Sequence, residues 1–239
     1  KAWYDGSIRG MDAEISRLHE RLGSLGLDRR TLLVFTSDHG EEFLEHGRMF
    51  HGQNVYGHQN NVPLILWQPG LVPAGREVTE TVRTIDVMPT VLAASGLPVP
   101  AEAQGHSLWS LIAPAAGGVR AAPISPPAIS EKAKTALDSG SPPPHETASV
   151  AIVDGAYKLV HHLERAAGTP EYQLFEHGKD PLDLRDVAAE HPEVVARLVR
   201  DLDAWRKTAE AARLKPDSDA EKGMSKEELE RLRALGYIQ

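Results

Sequence analysis

Two short apolar runs, Thr31-Leu-Leu-Val-Phe-Thr36 and Val62-Pro-Leu-Ile-Leu-Trp67, are separated by 25 residues, 37–61, rich in Gly, His, Asn and Glu. Runs of this length are short for core helices, and they read as strands buried on both faces. Pro63 is acceptable because it falls near the start of its strand, where a missing N–H is tolerated. A long connection without apolar periodicity is uncommon in a compact domain unless it is functional or disordered. This one begins at the carboxyl end of a strand, where open α/β sheets bind ligands.

The flanking pattern supports α/β layering. Ile8, Met11, Ile15, Leu18 and Leu22 recur at spacings of three and four, which predicts an amphipathic helix over about 5–22, with Gly23 and Gly26 placed to end it in left-handed conformation. Glu77 to Ile85 reads as another strand. Asp86 is a candidate cap for a helix over roughly 87–95 that stops at Gly96. Between 98 and 144 lie nine of the 17 prolines, so most of this stretch reads as linker or surface excursion. Ser149 to His161 resembles two short strands around an Asp154-Gly155 turn, with Gln173-Leu-Phe175 as a possible third. Val194, Val195, Leu198, Leu202 and Trp205 form one stripe, predicting a helix from Pro192 to about Ala211. Ser225-Lys-Glu-Glu228 is a capping box opening a terminal helix that Gly236 would close.

Composition narrows the chemistry. The 239 residues hold 26 Lys+Arg against 34 Asp+Glu, a net charge of −8, so no nucleic-acid partner is expected. With no cysteine there is no disulfide, thiolate metal site or cysteine nucleophile. No apolar run reaches the 18 residues of a membrane span, and residues 1–10 lack the features of a signal peptide. A soluble protein of undecided compartment is expected, with any targeting signal lying further N-terminal.

Four of the 11 histidines, His39, His46, His51 and His58, fall within 20 residues. Their spacings of 7, 5 and 7 match neither a helical pair nor a zinc-finger pattern. Asp38 and His39 are neighbours, which on a regular strand point to opposite faces. Both reach one divalent metal only if the backbone turns, and Gly40 makes that easy. Two ligands are too few for a metal centre, and a Ser-Asp-His-Gly string is more often an ordinary solvated turn than a ligand pair. Ser37, Asp38 and His39 are too close in sequence for a hydrolase triad, and phosphate-binding glycine loops are absent.

The chain carries, in this order, Tyr4-Asp5-Gly-Ser-Ile-Arg9, Asp12-Ala-Glu-Ile15, Thr31 through Glu41, Glu45-His-Gly47, Val62-Pro-Leu-Ile65, Thr84-Ile-Asp-Val-Met-Pro-Thr90, Gly105-His-Ser-Leu108, Tyr157-Lys-Leu159, Tyr172-Gln-Leu-Phe175, Asp180-Pro181 and Leu235-Gly-Tyr-Ile238. That ordered set resembles the C-terminal half of the sulfatase family, within the alkaline phosphatase superfamily. The resemblance implies an α/β fold: part of an alkaline-phosphatase-like central sheet with flanking helices, then a small C-terminal α+β subdomain with a short antiparallel sheet and helix. The corresponding boundaries are 1–112, a Pro/Gly/Ser-rich excursion at 113–147, and 148–239.

It also implies a metal-dependent sulfuric ester hydrolase whose nucleophile is a formylglycine made in a C/S-x-P-S/A-R motif. No such motif occurs here, so the nucleophile and the remaining acidic ligands are expected in an N-terminal half. By the same resemblance Asp38 and His39 are metal ligands and His51 is the catalytic, substrate-contacting residue. His46 and Glu41 are supporting candidates. Calcium is the first expectation for the cation, but an imidazole donor admits Mn²⁺ or Zn²⁺. A cation at position 51 would stabilise charge growing on the transferred group, although an imidazole, with an ordinary pKa of about 6.5, is only partly charged at pH 7.

Asp5 and Arg9 are expected to be structural, His58 to face solvent, and Lys158 to lie at the surface. The implied partners are a small sulfate ester or sulfated sugar and the N-terminal half of the same protein. The isolated chain is expected to be inactive. Two other readings stay open: a phosphonate or phosphate ester hydrolase of the same superfamily, and a non-catalytic folding or interaction module.

Overall fold

A computed structural model of the chain describes residues 1–113, 126–132, 146–165, 167–212 and 224–234. Residues 1–199 form one unit and residues from 200 onward belong to a second. Helix α1 (Ala2–Ser24) follows the predicted stripe and extends beyond it at both ends. Gly26, at φ +65°, closes it as expected, with Leu27 N–H bonded to Leu22 O at 2.9 Å and Gly26 N–H to Gly23 O at 3.0 Å. Ile15 and Leu22 are half-buried, whereas Trp3, Ile8, Met11 and Leu18 are exposed.

Strands β1 (Leu33–Thr36) and β4 (Leu64–Trp67) pair antiparallel, with Leu33 opposite Trp67 and Thr36 opposite Leu64. The expectation that both faces of these strands are buried is corrected. Leu64 and Leu66 pack against Leu108, Leu111 and Ile112, but Ile65, pointing to the other face, is 56% exposed. The short strands β2 (Glu42–Phe43) and β3 (Met49–Phe50) and the single-turn helix α2 (Gly57–Asn60) lie inside the long connection.

The strand expected over 77–85 does not form. Residues 77–83 make no strand pairing, and Thr84–Asp86 is a 3-10 turn. The reason is Asp86. Its carboxylate accepts from Arg83 N–H (3.0 Å), Arg83 Nη2 (2.7 Å) and His106 N–H (2.9 Å), closing the chain into a turn instead of a ladder. Helix α3 (Val87–Ala94) follows and ends at Gly96, φ +69°. Asp86 therefore does not cap α3 with its side chain; its carbonyl accepts from Thr90 Oγ1 at 2.6 Å. Helix α4 (Trp109–Ile112) completes this layer.

A second sheet has the antiparallel order β5-β6-β7-β8, with β5 (Ala128–Lys132), β6 (Glu146–Asp154), β7 (Tyr157–Arg165) and β8 (Tyr172–Phe175). The β6–β7 hairpin turns through Gly155 and Ala156, with Gly155 at φ +60°, and Gln173–Phe175 supplies the strand that follows. Strand β5 lies inside the stretch read as excursion. Its Pro126-Pro127 entry suits an edge strand, where the missing N–H groups cost no ladder bond. Val150, Ala151, Ile152, Leu159, Val160, Leu174 and Phe175 are all buried to within 1% exposure, so the middle strands are covered on both faces.

Helix α5 (Pro192–Ala211) matches its predicted range, and Leu198 and Leu202 on its stripe are fully buried. In the second unit, α6 (Lys226–Ala234) starts from the predicted capping box, with Ser225 N–H donating to Glu228 Oε2 at 2.8 Å and Glu228 N–H to Ser225 Oγ at 3.3 Å. Gly236 and the Leu235–Ile238 motif lie outside the described residues.

Burial pushes the Asp86 carboxyl up, but the Arg83 guanidinium and the two backbone N–H donors outweigh it and hold it below the ordinary carboxylate range. A lowered folded-state pKa contributes stability above the unfolded value of about 3.9, and that contribution is lost as pH falls through the folded value. Asp86→Asn should therefore cost about 2 kcal/mol at pH 7. In urea unfolding at stepped pH, its gap to the native chain should narrow as the pH is taken below about 4.

Candidate active-site loop

The turn after β1 is set by its own short polar side chains. Ser37 Oγ donates to His39 O at 2.7 Å, and Asp38 Oδ1 accepts from His39 N–H at 3.0 Å. As a result Asp38 Oδ1 and His39 Nε2 stand 3.7 Å apart, and both side chains are open to solvent. Gly40 matters for a reason other than turning. Its N–H donates to Gln59 O at 2.7 Å, and a Cβ placed on it would run into the main chain of His58 and Gln59. Glycine is needed there for close backbone approach.

His51 joins this pair from the middle of the loop. Its ring stacks on His39 with centroids 4.0 Å apart and planes at 25°, and its Nδ1 lies 3.3 Å from Glu41 Oε2. Glu41 Oε1 is buried without a hydrogen-bond partner. The turn and the loop therefore bring Asp38, His39, Glu41 and His51 together, while His46 stays apart. It stacks flat on Tyr56 at 3.9 Å and 5°, with Nε2 2.8 Å from Leu182 O.

The loop closes around Glu42, which is fully buried. Oε1 accepts from His46 N–H at 3.0 Å and Arg48 N–H at 2.8 Å, and Oε2 accepts from Asn54 Nδ2 at 2.8 Å. His58 is not solvent-facing as expected: its side chain is 2% exposed, with Nε2 3.0 Å from Glu42 Oε2. Burial lowers the His58 pKa despite the attraction of Glu42. Burial also pushes Glu42 up, but the Arg48 N–H, the Asn54 amide and the other donors win, so its pKa falls below the usual carboxylate range. The composition of the loop signals polarity but does not say which acid turns inward. Glu42 sits beside Glu41 in sequence, and both turn inward, but only Glu42 has both of its oxygens met by donors, whereas Glu41 keeps one oxygen on His51.

The loop is then seated on the second sheet. Val55 packs against Ala151, Val160 and Phe175, and Tyr56 donates to Gln173 Oε1 at 2.7 Å. Asn61 Nδ2 donates to Pro181 O at 2.7 Å. Lys158, expected at the surface, is 1% exposed and pairs with Asp183 at 2.6 Å.

Among the described residues, no three His, Asp or Glu side chains come together closely enough to hold a metal ion. Asp38 and His39 offer one oxygen and one nitrogen on the same edge, so these residues do not fit a complete metal centre by themselves.

Residues 2–97 match the family model described as Sulfatase. Among curated proteins, arylsulfatase K of Xenopus laevis is 29% identical over 202 residues, covering 84% of this chain and 36% of the relative. Arylsulfatase K of Danio rerio is 30% identical over 205 residues, covering 81% and 35%. The chain thus spans about a third of the length of these relatives. Among solved structures, BT4656 in complex with its substrate D-glucosamine-2-N,6-O-disulfate superposes with a TM-score of 0.69 at 25% identity, covering 89% of this chain and 40% of that one. The phosphonate monoester hydrolase of Agrobacterium radiobacter gives 0.66 at 26%, covering 86% and 40%. That of Silicibacter pomeroyi gives 0.60 at 28%, covering 82% and 38%.

Replacing Glu42 by Gln keeps its size but turns one acceptor arm into a donor facing donors. Chemical denaturation should show a loss of about 2 to 3 kcal/mol. Hydrogen exchange should quicken at the His46 and Arg48 amides ahead of the β6–β7 hairpin.

Proposed function

We propose that this chain, whose residues 2–97 match the family model described as Sulfatase, contributes the C-terminal part of a composite active site for hydrolysis of a small sulfate ester or sulfated sugar. In this reading the N-terminal half of the same protein brings the formylglycine nucleophile and the remaining metal ligands, so the chain alone is inactive. The observation that carries the reading is the stacking of His51 on His39 beside Asp38 and Glu41, which brings residues from the start and the middle of one loop together at the end of β1.

The roles follow from the chemistry of each group. Asp38 and His39 are the two donors offered to a divalent cation, calcium first and Mn²⁺ or Zn²⁺ after it. Glu41 faces Nδ1 of His51 and holds a proton there, which orients the ring. His51 then presents Nε2 to the transferred group, where a protonated imidazole stabilises oxygen charge or donates to the leaving group. Half-exposed His39 and His51 leave room for a ligand at this edge. The placement of His46 against Tyr56 gives it a loop-supporting part.

The likeness to two phosphonate monoester hydrolases favours a second reading, in which the same residues serve a phosphonate or phosphate ester hydrolase. A third reading, a non-catalytic folding or interaction module, suits the seating of the loop on the second sheet.

Initial rates of the parent protein on matched aryl sulfate and aryl phosphonate esters separate the first two. The sulfate ester should be turned over faster, and His51→Gln should lower kcat by about 10²-fold or more with the chain still folded. A faster phosphonate reaction would overturn the sulfatase reading. An unchanged kcat in the His51 variant would remove that residue from the chemistry. Turnover by residues 1–239 alone would refute the composite site.

A further inference from the structure

One buried residue bonds to both segments of the loop that carry the site. Gln59, 4% exposed, donates from Nε2 to Phe50 O at 3.2 Å and accepts at Oε1 from Gly52 N–H at 2.8 Å. Its amide is thus clipped across the residue between them, His51. The orientation of the amide is unambiguous, because one partner only accepts and the other only donates. The main chain of Gln59 holds the other half of the site, since its carbonyl accepts from Gly40 N–H at 2.7 Å, one residue past His39.

The backbone around His51 requires such a restraint. Phe50 has φ +74° and Gly52 φ +76°, and positive φ is rare for a bulky residue. Phe50 is 67% exposed, so packing of its own side chain does not hold this conformation. What holds it is the ladder to Glu42 and the clip from Gln59.

We propose that Gln59 is a positioning residue that fixes His51 against His39, and so sets the spacing between the substrate-contacting imidazole and the Asp38-His39 donor pair. The proposal rests on the reading of His51 given above. Its contacts with Phe50, Gly52 and Gly40 are independent of what the site hydrolyses. Gln59 touches the backbone of both segments and acts through His51.

The test uses the chain itself, with the histidine ring signals followed by two-dimensional NMR and amide exchange measured residue by residue. Gln59→Leu removes both arms at similar volume. Exchange at Gly52 should rise about tenfold or more. The ring signals of His39 and His51 should move towards unstacked values, while His162 on the second sheet keeps its own. Gln59→Glu keeps the acceptor for Gly52 and loses the donor to Phe50. Protection of Gly52 should survive in it while the two ring signals still shift, and it decides the matter if the Leu variant does not fold.

Unchanged ring signals in the folded variants would overturn the proposal. In the parent enzyme, Gln59→Leu should lower kcat more than it alters KM. Should the rings separate without any loss of turnover, the positioning by Gln59 stands and the role given to His51 in catalysis falls.

Discussion

A carboxylate taken wholly out of water is costly unless donors surround it, and Glu42 is such a carboxylate. Three hydrogen bonds and the neighbouring His58 ring converge on its two oxygens from positions 46, 48, 54 and 58. These donors belong to a stretch whose Leu44, Met49 and Phe50 stay exposed, so the buried charge organises this part of the loop where few apolar side chains turn inward. The hairpin of β2 and β3, the approach of Gly40 to Gln59 and the stacking of His51 on His39 all depend on that loop keeping its path.

The second sheet gives the loop a floor. Val55 enters the apolar cluster of Ala151, Val160 and Phe175, and Tyr56 reaches Gln173 on β8. Residues more than a hundred positions apart thereby share one set of contacts. The buried Lys158–Asp183 pair lies in the same region of chain as Leu182 and Pro181, whose carbonyls receive His46 and Asn61. Such a pair contributes specificity of arrangement more readily than net stability. The candidate site is exposed, but its supports are not.

What the sequence reveals depends on whether a signal is local. The stripe of α1, the turn at Gly155, the span of α5 and the capping box at Ser225 are each written within a few turns of chain, and each forms as read. Motif order singled out Asp38, His39 and His51, with Glu41 as a neighbour, and the fold brings these side chains close to one another. Glu42, Gln59 and the burial of His58 were not legible, because the identity of an inward-facing polar residue depends on partners brought in by the fold. Strand β5 was hidden by its prolines, and the turn at Asp86 by an Arg83 carboxylate clasp that no periodicity records. Gly40 was read for its flexibility, whereas the fold uses its lack of a side chain.

Strands β1 and β4 pair with each other and with no third strand among the described residues. Among the described residues each therefore has one edge without a ladder partner, beside an exposed Ile65. Open edges of this kind are templates for strand addition. The uncovered Trp3, Ile8 and Met11 of α1 add apolar surface, which the net charge of −8 counters by mutual repulsion between copies.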